Sequence, residues 1–237
     1  MHMTMAPVKN TKPWASTRKP LPRVLLTGFD PFGDDRYSPN PLNASGLAVR
    51  ALHGKRINGH QVVAAELPCL FDASITELRR LLRTHKPALV ICVGQAGGRS
   101  AVSLERVAIN VNDARLPDNL AAQPIDTPVH AEGPAAYFST LPIKAMLQAL
   151  QRLGVPAEVS QTAGTFVCNH VFYGLMHALA TQRGLKRTRG GFIHVPFLPE
   201  QGSPALALDV MVSALRLAVA TALATPQDIA AGAGAVS

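Results

Sequence analysis

The sequence predicts a single α/β domain built on a largely parallel, twisted sheet with helices on both faces. Three observations predict it. Short apolar runs alternate with amphipathic helical segments along the 237 residues. The run Ala88 to Val93 is apolar without interruption, the pattern of a strand buried on both faces. Gly- and Asn-rich segments follow the runs that end at Thr27, Val93, Val111 and Val195, where an open parallel sheet gathers its functional groups.

Residues 1–20 read as a basic, proline-containing tail, and 21–225 as the folded domain. Val24 to Thr27 reads as a strand that stops at Gly28, and a loop holding Pro31, Gly33, Pro39 and Pro41 follows. Asn43 to Leu52 reads as a helix and Gln61 to Leu67 as a strand. Asp72 to Thr84 is a helix by spacing, with Ile75, Leu78, Leu81 and Leu82 on one stripe. Residues 106–112 alternate as a strand does, and Ala135 to Leu153 reads as mostly helical. Ala157 to Gln161 is a short strand, Asn169 to Gln182 a helix, Gly191 to Val195 a strand and Ser203 to Ala224 a long helix. Residues 226–237 read as a small-residue tail.

Composition narrows the function classes. A hydrophobic fraction of 47% supplies a core and argues against global disorder. No apolar run has the roughly 18–20 residues a membrane span needs, and the N-terminal segment has no apolar core of a secretory signal. Cys69, Cys92 and Cys168 form an odd set without metal-ligand spacing, which fits a reducing cytoplasm. The net charge is +8, but Lys9, Lys12, Arg18, Lys19 and Arg23 supply five of those charges in a stretch with no Asp or Glu. A second cluster, Arg183, Lys186, Arg187 and Arg189, falls in a loop. Both read as solvated segments rather than as a nucleic-acid surface.

The chemistry centres on TAGTFVCNH, 162–170. Gly164 and Thr165 mark a turn and an N-cap, and the stripe Phe172, Leu175, Met176, Leu179 marks the helix that follows. Cys168 then lies in the first turn, where free N–H groups and the helix dipole favour a thiolate. A cysteine nucleophile needs a base, and the base needs an orienting group. His194, at the carboxyl end of a core strand just before Pro196, is the candidate base among eight histidines. In SLERVAINVND, strand parity puts Glu105 on the face of Val107, Ile109 and Val111, so its carboxylate points toward the buried side. A buried carboxylate needs a partner. It can orient a histidine, or it can pair with Arg106 or Arg115, and Asp113 and Asp118 are rival orienting groups. Cys69 and Cys92 lie in apolar runs and read as inert core residues.

The segments LLTGFDPFG (25–33), ICVGQAGGR (91–99), ERVAIN and DARLPDN (within 105–119), GPAAYFSTLPIK (133–144), TAGTFVCNHVFYGLMH (162–177) and GFIHVPFLPEQ (191–201) together resemble the pyroglutamyl peptidase I family of cysteine peptidases. The resemblance spans residues 22 to about 224. It implies hydrolytic removal of N-terminal pyroglutamate from peptides through a thioester. It implies Cys168 as nucleophile, His194 as acid and base, and Glu105 as the orienting group. It further implies that Phe29, Phe32, Phe166 and Val167 form the pyroglutamyl pocket, with Gln95 and Arg115 beside it. No cofactor, no metal, a cytoplasmic location and a homotetramer follow from the same resemblance. The chain departs from the family pattern at Asn43-Ala44-Ser45-Gly46, which lacks the usual proline and tryptophan. Three other classes compete: a binding protein that has lost catalysis, an anion-binding loop at GQAGGR, and a nucleic-acid-binding tail.

Overall fold

The computed structural model describes residues 20–33 and 42–234. The tail expected at 1–20, apart from Pro20, lies outside the described residues, as do Pro39 and Pro41.

Among the described residues nine strands and five α-helices follow in the order β1 (Arg23–Phe29), α1 (Ala44–Ala51), β2 (Arg56–Ile57), β3 (His60–Leu67), α2 (Ala73–His85), β4 (Leu89–Gln95), β5 (Val102–Glu105), β6 (Val107–Ile109), β7 (Ala136–Phe138), α3 (Ile143–Arg152), β8 (Ala157–Ser160), α4 (Val167–Thr181), β9 (Arg189–Val195) and α5 (Leu208–Ala224). Seven strands form one sheet in the order β2-β3-β1-β4-β9-β5-β8, and β6 and β7 form a separate ribbon. The contacts β3-β1, β1-β4, β4-β9 and β5-β8 are parallel, while β9-β5 and β2-β3 are antiparallel. The α/β class expected from the alternating pattern is therefore the one observed.

Each face of the sheet has its own apolar layer. Leu26, Leu89, Ile91 and Ile193 pack with α1, α3 and α5 on one side. Leu25, Val90, Cys92 and Phe192 pack with α2 and α4 on the other. The stripe Ile75, Leu78, Leu81, Leu82 is buried as its spacing requires. No helix of the described residues is long and apolar enough to cross a membrane.

The structure departs from the sequence pattern at four places. The alternation over 106–112 is not one strand: the chain leaves the main sheet at Arg106, and β6 pairs with β7 instead. Parity across that break fails, since Ala108 is buried while Val107, Ile109 and Val111 are only half-buried. The helix expected from Ala135 starts only at Ile143, after Pro142. Tyr137 and Phe138, which favour extended backbone, form β7. The helix expected from Ser203 starts at Leu208 because Ala205 pairs with Phe197. Arg189 is not solvated with its basic neighbours: it donates to the Ala222 and Thr225 carbonyls at the end of α5, where a cation suits the dipole. In 226–234 the chain has no regular structure, yet the Asp228 carboxylate accepts from Lys144 N and Ala145 N, both at 3.0 Å, and so caps α3.

One buried histidine ties the two helices of the α2/α4 layer together. Asp72 precedes α2 at φ +57°, a backbone conformation that L residues rarely adopt. Its N–H donates to His170 Nε2 at 3.1 Å, and His170 Nδ1 donates to Asn112 Oδ1 at 2.9 Å. Both bonds together require neutral imidazole, and burial pushes the His170 pKa down to about 4. A histidine whose folded pKa is depressed stabilises the fold above its unfolded pKa, and this is lost as pH falls from about 6.5 toward 4. The wild type should therefore lose about 3 kcal/mol between pH 7 and 4 that His170→Asn does not lose. Urea unfolding of both proteins across that range checks this. Parallel stability curves would refute it.

Candidate active site

The carboxyl ends of β1, β4 and β9 converge where the sequence places its Gly- and Asn-rich segments. Gly28 in β1 and Gly46 in α1 let helix and strand meet at backbone contact, since a Cβ on either would lie 2.6 Å from the other element's backbone. Asn43 secures the α1 N-terminus: its Oδ1 accepts from Ser45 N at 3.0 Å, and its Nδ2 donates to Asp30 O at 2.9 Å. Gln95 Oε1 accepts from Ala44 N at 2.7 Å, which joins the end of β4 to the same turn. The Asn43–Gly46 segment thus makes a capped helix start without the proline and tryptophan of the pattern it resembles.

A cavity of about 700 Å3 opens above these ends. Phe29, Phe32 and Phe166 line it, together with Gln95, Arg115 and Cys168. Phe32 and Phe166 pack with ring centroids 5.1 Å apart, and Phe71 meets Phe166 edge-on at 5.4 Å. Of the residues expected around this pocket, Val167 alone does not line it; it is fully buried in the α2/α4 layer. Cys69, expected as an inert core thiol, does line the cavity and retains 7% exposure. Cys92 is fully buried, and burial pushes its thiol up to about 12. Phe197 also lines the cavity, with its ring against Gly97.

Cys168 is the second residue of α4. The cap of that helix is Phe166 and not Thr165, and Phe166 makes no side-chain bond to the first-turn N–H groups. Thr165 instead donates its hydroxyl to Asp113 O at 2.7 Å, while Asp113 N donates to Thr165 O at 3.0 Å. Asn169 fixes the next turn through bonds to both the N–H and the carbonyl of Ile109. The Cys168 thiol then faces Gly94, where a Cβ would lie 2.8 Å from Sγ. Gly94 is the β4 register partner of His194, so the thiol lies against the residue beside His194 at the carboxyl end of the central strands.

Glu105 reaches His194 across an antiparallel contact. Ser103 pairs directly with His194, and Glu105, two residues on along β5, is its diagonal neighbour on the same face. Glu105 has no exposure, and its Oε1 accepts from His194 Nδ1 at 2.7 Å. That bond fixes the tautomer and leaves Nε2 as the basic nitrogen. The parity reading over 105–111 thus expects a buried Glu105, which is observed, but by a continuous strand that does not exist. Its rivals are engaged elsewhere: Asp118 accepts from Leu120, Ala122 and Phe71 N–H groups, and the side chain of Asp113 is exposed. The cation on Glu105 is Arg99, 2.7 Å from the same Oε1, and not Arg106 or Arg115. Arg99 is the residue that sequence reasoning misses; its only signal was its place at the end of GQAGGR.

Burial raises the Glu105 carboxyl, but the hydrogen bonds of His194 and Ser160, with the Arg99 cation, hold it below the ordinary value. Burial outweighs Glu105 at His194 and pushes the imidazole down. The thiol departs from expectation. Burial, with the Glu105 charge adding, pushes Cys168 up to about 12, against the pull of Arg99. Desolvation exceeds what the helix N-terminus offers. The resting site is a neutral thiol beside a neutral, oriented imidazole. Such a site can attack an acyl carbon once the imidazole takes the thiol proton.

The family model described as pyroglutamyl peptidase matches residues 22–225. The chain is 60% identical over 214 residues to a pyrrolidone-carboxylate peptidase of Cupriavidus taiwanensis, covering 88% of this chain and 96% of the relative. It is 51% identical to the enzyme of that name from Bacillus cytotoxicus, over 87% of this chain and 95% of the relative. Among solved structures it resembles pyroglutamyl peptidase I of Bacillus amyloliquefaciens, with a TM-score of 0.83, 46% identity, and coverage of 88% of this chain and 100% of that one.

The close approach at Gly94 is open to test. A methyl there meets Cys168 Sγ and the Phe192 ring, which lies 2.9 Å away at Cζ. Gly94→Ala should destabilise by about 1–3 kcal/mol and slow alkylation of Cys168 by iodoacetamide well beyond any effect on Cys69. Unchanged Cys168 reactivity in the folded variant would show that the thiol does not depend on this contact.

Proposed function

Because the chain belongs to the pyroglutamyl peptidase family, we propose that Cys168, His194 and Glu105 are the groups with which it cleaves pyroglutamyl peptides. The protein is a cysteine-type hydrolase that removes N-terminal pyroglutamate. The observation that carries the residue assignment is the buried 2.7 Å bond between Glu105 and His194, set beside a thiol that opens on an aromatic-walled cavity.

His194 Nε2 takes the Cys168 proton as Sγ attacks the pyroglutamyl carbonyl. The C–N bond then breaks, and the imidazolium returns that proton to the leaving amine, which departs as the new N-terminus of the peptide. Water, deprotonated by Nε2, attacks the thioester, and the thiol leaves with the proton that His194 gives back. Glu105 fixes the reactive tautomer and balances the imidazolium. The Cys168 N–H, at the second position of α4, has no intrahelical acceptor and is available to the oxyanion.

The pocket suits a lactam. Pyroglutamate has no free α-amine and no side-chain charge, so a slot between Phe29, Phe32 and Phe166 can hold its ring by apolar contact. Asp118 lines the same cavity, but both its oxygens accept from backbone N–H groups, which turns them to the loop rather than to a substrate amine. Arg115, exposed at the mouth, and Gln95 stand beside the ring slot. Val167, fully buried, contributes through its place in the helix start rather than by ring contact. A cytoplasmic site of action and a tetramer complete the proposal. The odd number of cysteines supports the first. Exposed Leu116, Leu120 and Ile125, clustered on the loop between β6 and β7, support the second.

Release of the fluorophore from pyroglutamyl-aminomethylcoumarin tests the reading. Wild type should turn over with or without EDTA, and Cys168→Ala should not. Glu105→Gln keeps the shape but not the charge, and should lower kcat roughly 10²–10⁴-fold. EDTA-sensitive turnover, or activity surviving in Cys168→Ala, would remove the cysteine mechanism.

A further inference from the structure

Arg99 lies in the turn between β4 and β5 with its side chain 26% exposed, and the mechanism above gives it no task. Its two terminal nitrogens serve different elements. NH1 donates to Glu105 Oε1 at 2.7 Å, the oxygen that also receives His194. NH2 donates to Thr162 O at 3.0 Å, in the loop that runs from β8 into the helix of Cys168. The second Glu105 oxygen, Oε2, is buried without a hydrogen-bond partner. Ser160, the register partner of Glu105 on β8, spends its hydroxyl on Thr162 O. Ser160 also acts on the carboxylate and helps to lower its proton affinity, while Arg99 and His194 share Oε1.

We propose that Arg99 is a positioning residue: its guanidinium fork locks the Glu105 carboxylate and the Thr162 carbonyl into one frame, so that imidazole and thiol keep a fixed relation. The inference rests on the proposed roles of Cys168 and His194. A planar fork can serve two acceptors on separate strands of chain, which a single ammonium does less well. The cation also has a consequence for proton affinity. Among the described residues, Arg99 from the β4–β5 turn, Ser160 from β8, Cys168 from α4 and Cys92 from β4 are the titratable or polar groups acting on this cluster. Arg99 favours the deprotonated form of His194, of Glu105 and of Cys168. Its removal should shift deprotonation of both thiol and imidazole to higher pH.

The test compares wild type, Arg99→Met and Arg99→Lys. The pH dependence of Cys168 alkylation by iodoacetamide is measured on the isolated peptide mass, and kcat and KM on pyroglutamyl-aminomethylcoumarin. In Arg99→Met the acid limb of both profiles should move up by about one pH unit, the size of a charge effect across one intervening carboxylate at high effective dielectric. Its kcat should fall about tenfold or more with KM little changed. Arg99→Lys should keep the acid limb in place but lose kcat, because the charge remains while the fork is gone. A superimposable alkylation profile in folded Arg99→Met overturns the proposal, as does a loss confined to KM. If the Met variant does not fold, full kcat in Arg99→Lys overturns it equally. Alkylation needs no pyroglutamyl substrate, so it tests Arg99 even where turnover itself is absent.

Discussion

A carboxylate with no access to water sets the terms for this site. Glu105 is fully buried, and a charge in that position is costly unless donors surround it. Two donors converge on one of its oxygens, His194 from β9 and Arg99 from the turn before β5. The antiparallel contact between β5 and β9, an exception in a mostly parallel sheet, is what makes the meeting possible. It sets Glu105 diagonal to His194 on the same face, while the parallel β4–β9 contact sets Gly94 beside His194 and leaves room for the Cys168 sulfur. Sheet order and register thus bring together three side chains that are separated by 26 to 89 residues in sequence.

The electrostatics follow from the same burial. A cysteine at a helix start is an anion site by its dipole, and the sequence invites that conclusion. In the fold, the thiol lies against Gly94 with a carboxylate nearby, and desolvation outweighs the helix start. Proton transfer to His194 then belongs to the approach of an acyl group, when the developing oxyanion can meet the uncapped N–H groups of α4.

What the sequence made legible was local or periodic. The sequence pattern located β1, β3, β4, β8 and β9 of the main sheet but not β2 or β5, the 3.6-residue stripe located α2, and the Gly-rich ends located the mouth of the site. Long-range choices were not legible. Nothing in residues 106–112 shows that the chain turns out of the sheet at Arg106, because β6 alternates as β5 does and only the partner strand differs. Asp228 caps α3 from 84 residues away, and Arg99 meets Glu105 only because a turn folds back between two strands that are not neighbours. Cys69 looked like core because its neighbours are apolar. It lines the cavity because Asp30 Oδ1 holds its N–H at 2.6 Å and brings the end of β3 to the pocket.

The pocket wall and the fold's acid-labile point are one continuous structure. Phe32 packs on Phe166, Phe166 on the edge of Phe71, and Phe71 on His170 with centroids 5.3 Å apart. His170 in turn holds Asp72 in its strained conformation, directly after Phe71 in the chain. Protonating His170 removes the acceptor for the Asp72 N–H and so frees the residue that sets the position of Phe71. The ring slot should then loosen before the sheet does, because the sheet's own hydrogen bonds do not involve His170. A site whose apolar wall rests on a neutral histidine would lose affinity for a flat, uncharged ring at acid pH, separately from any titration of His194. The two causes separate by their signatures: the first raises KM, while the second lowers kcat.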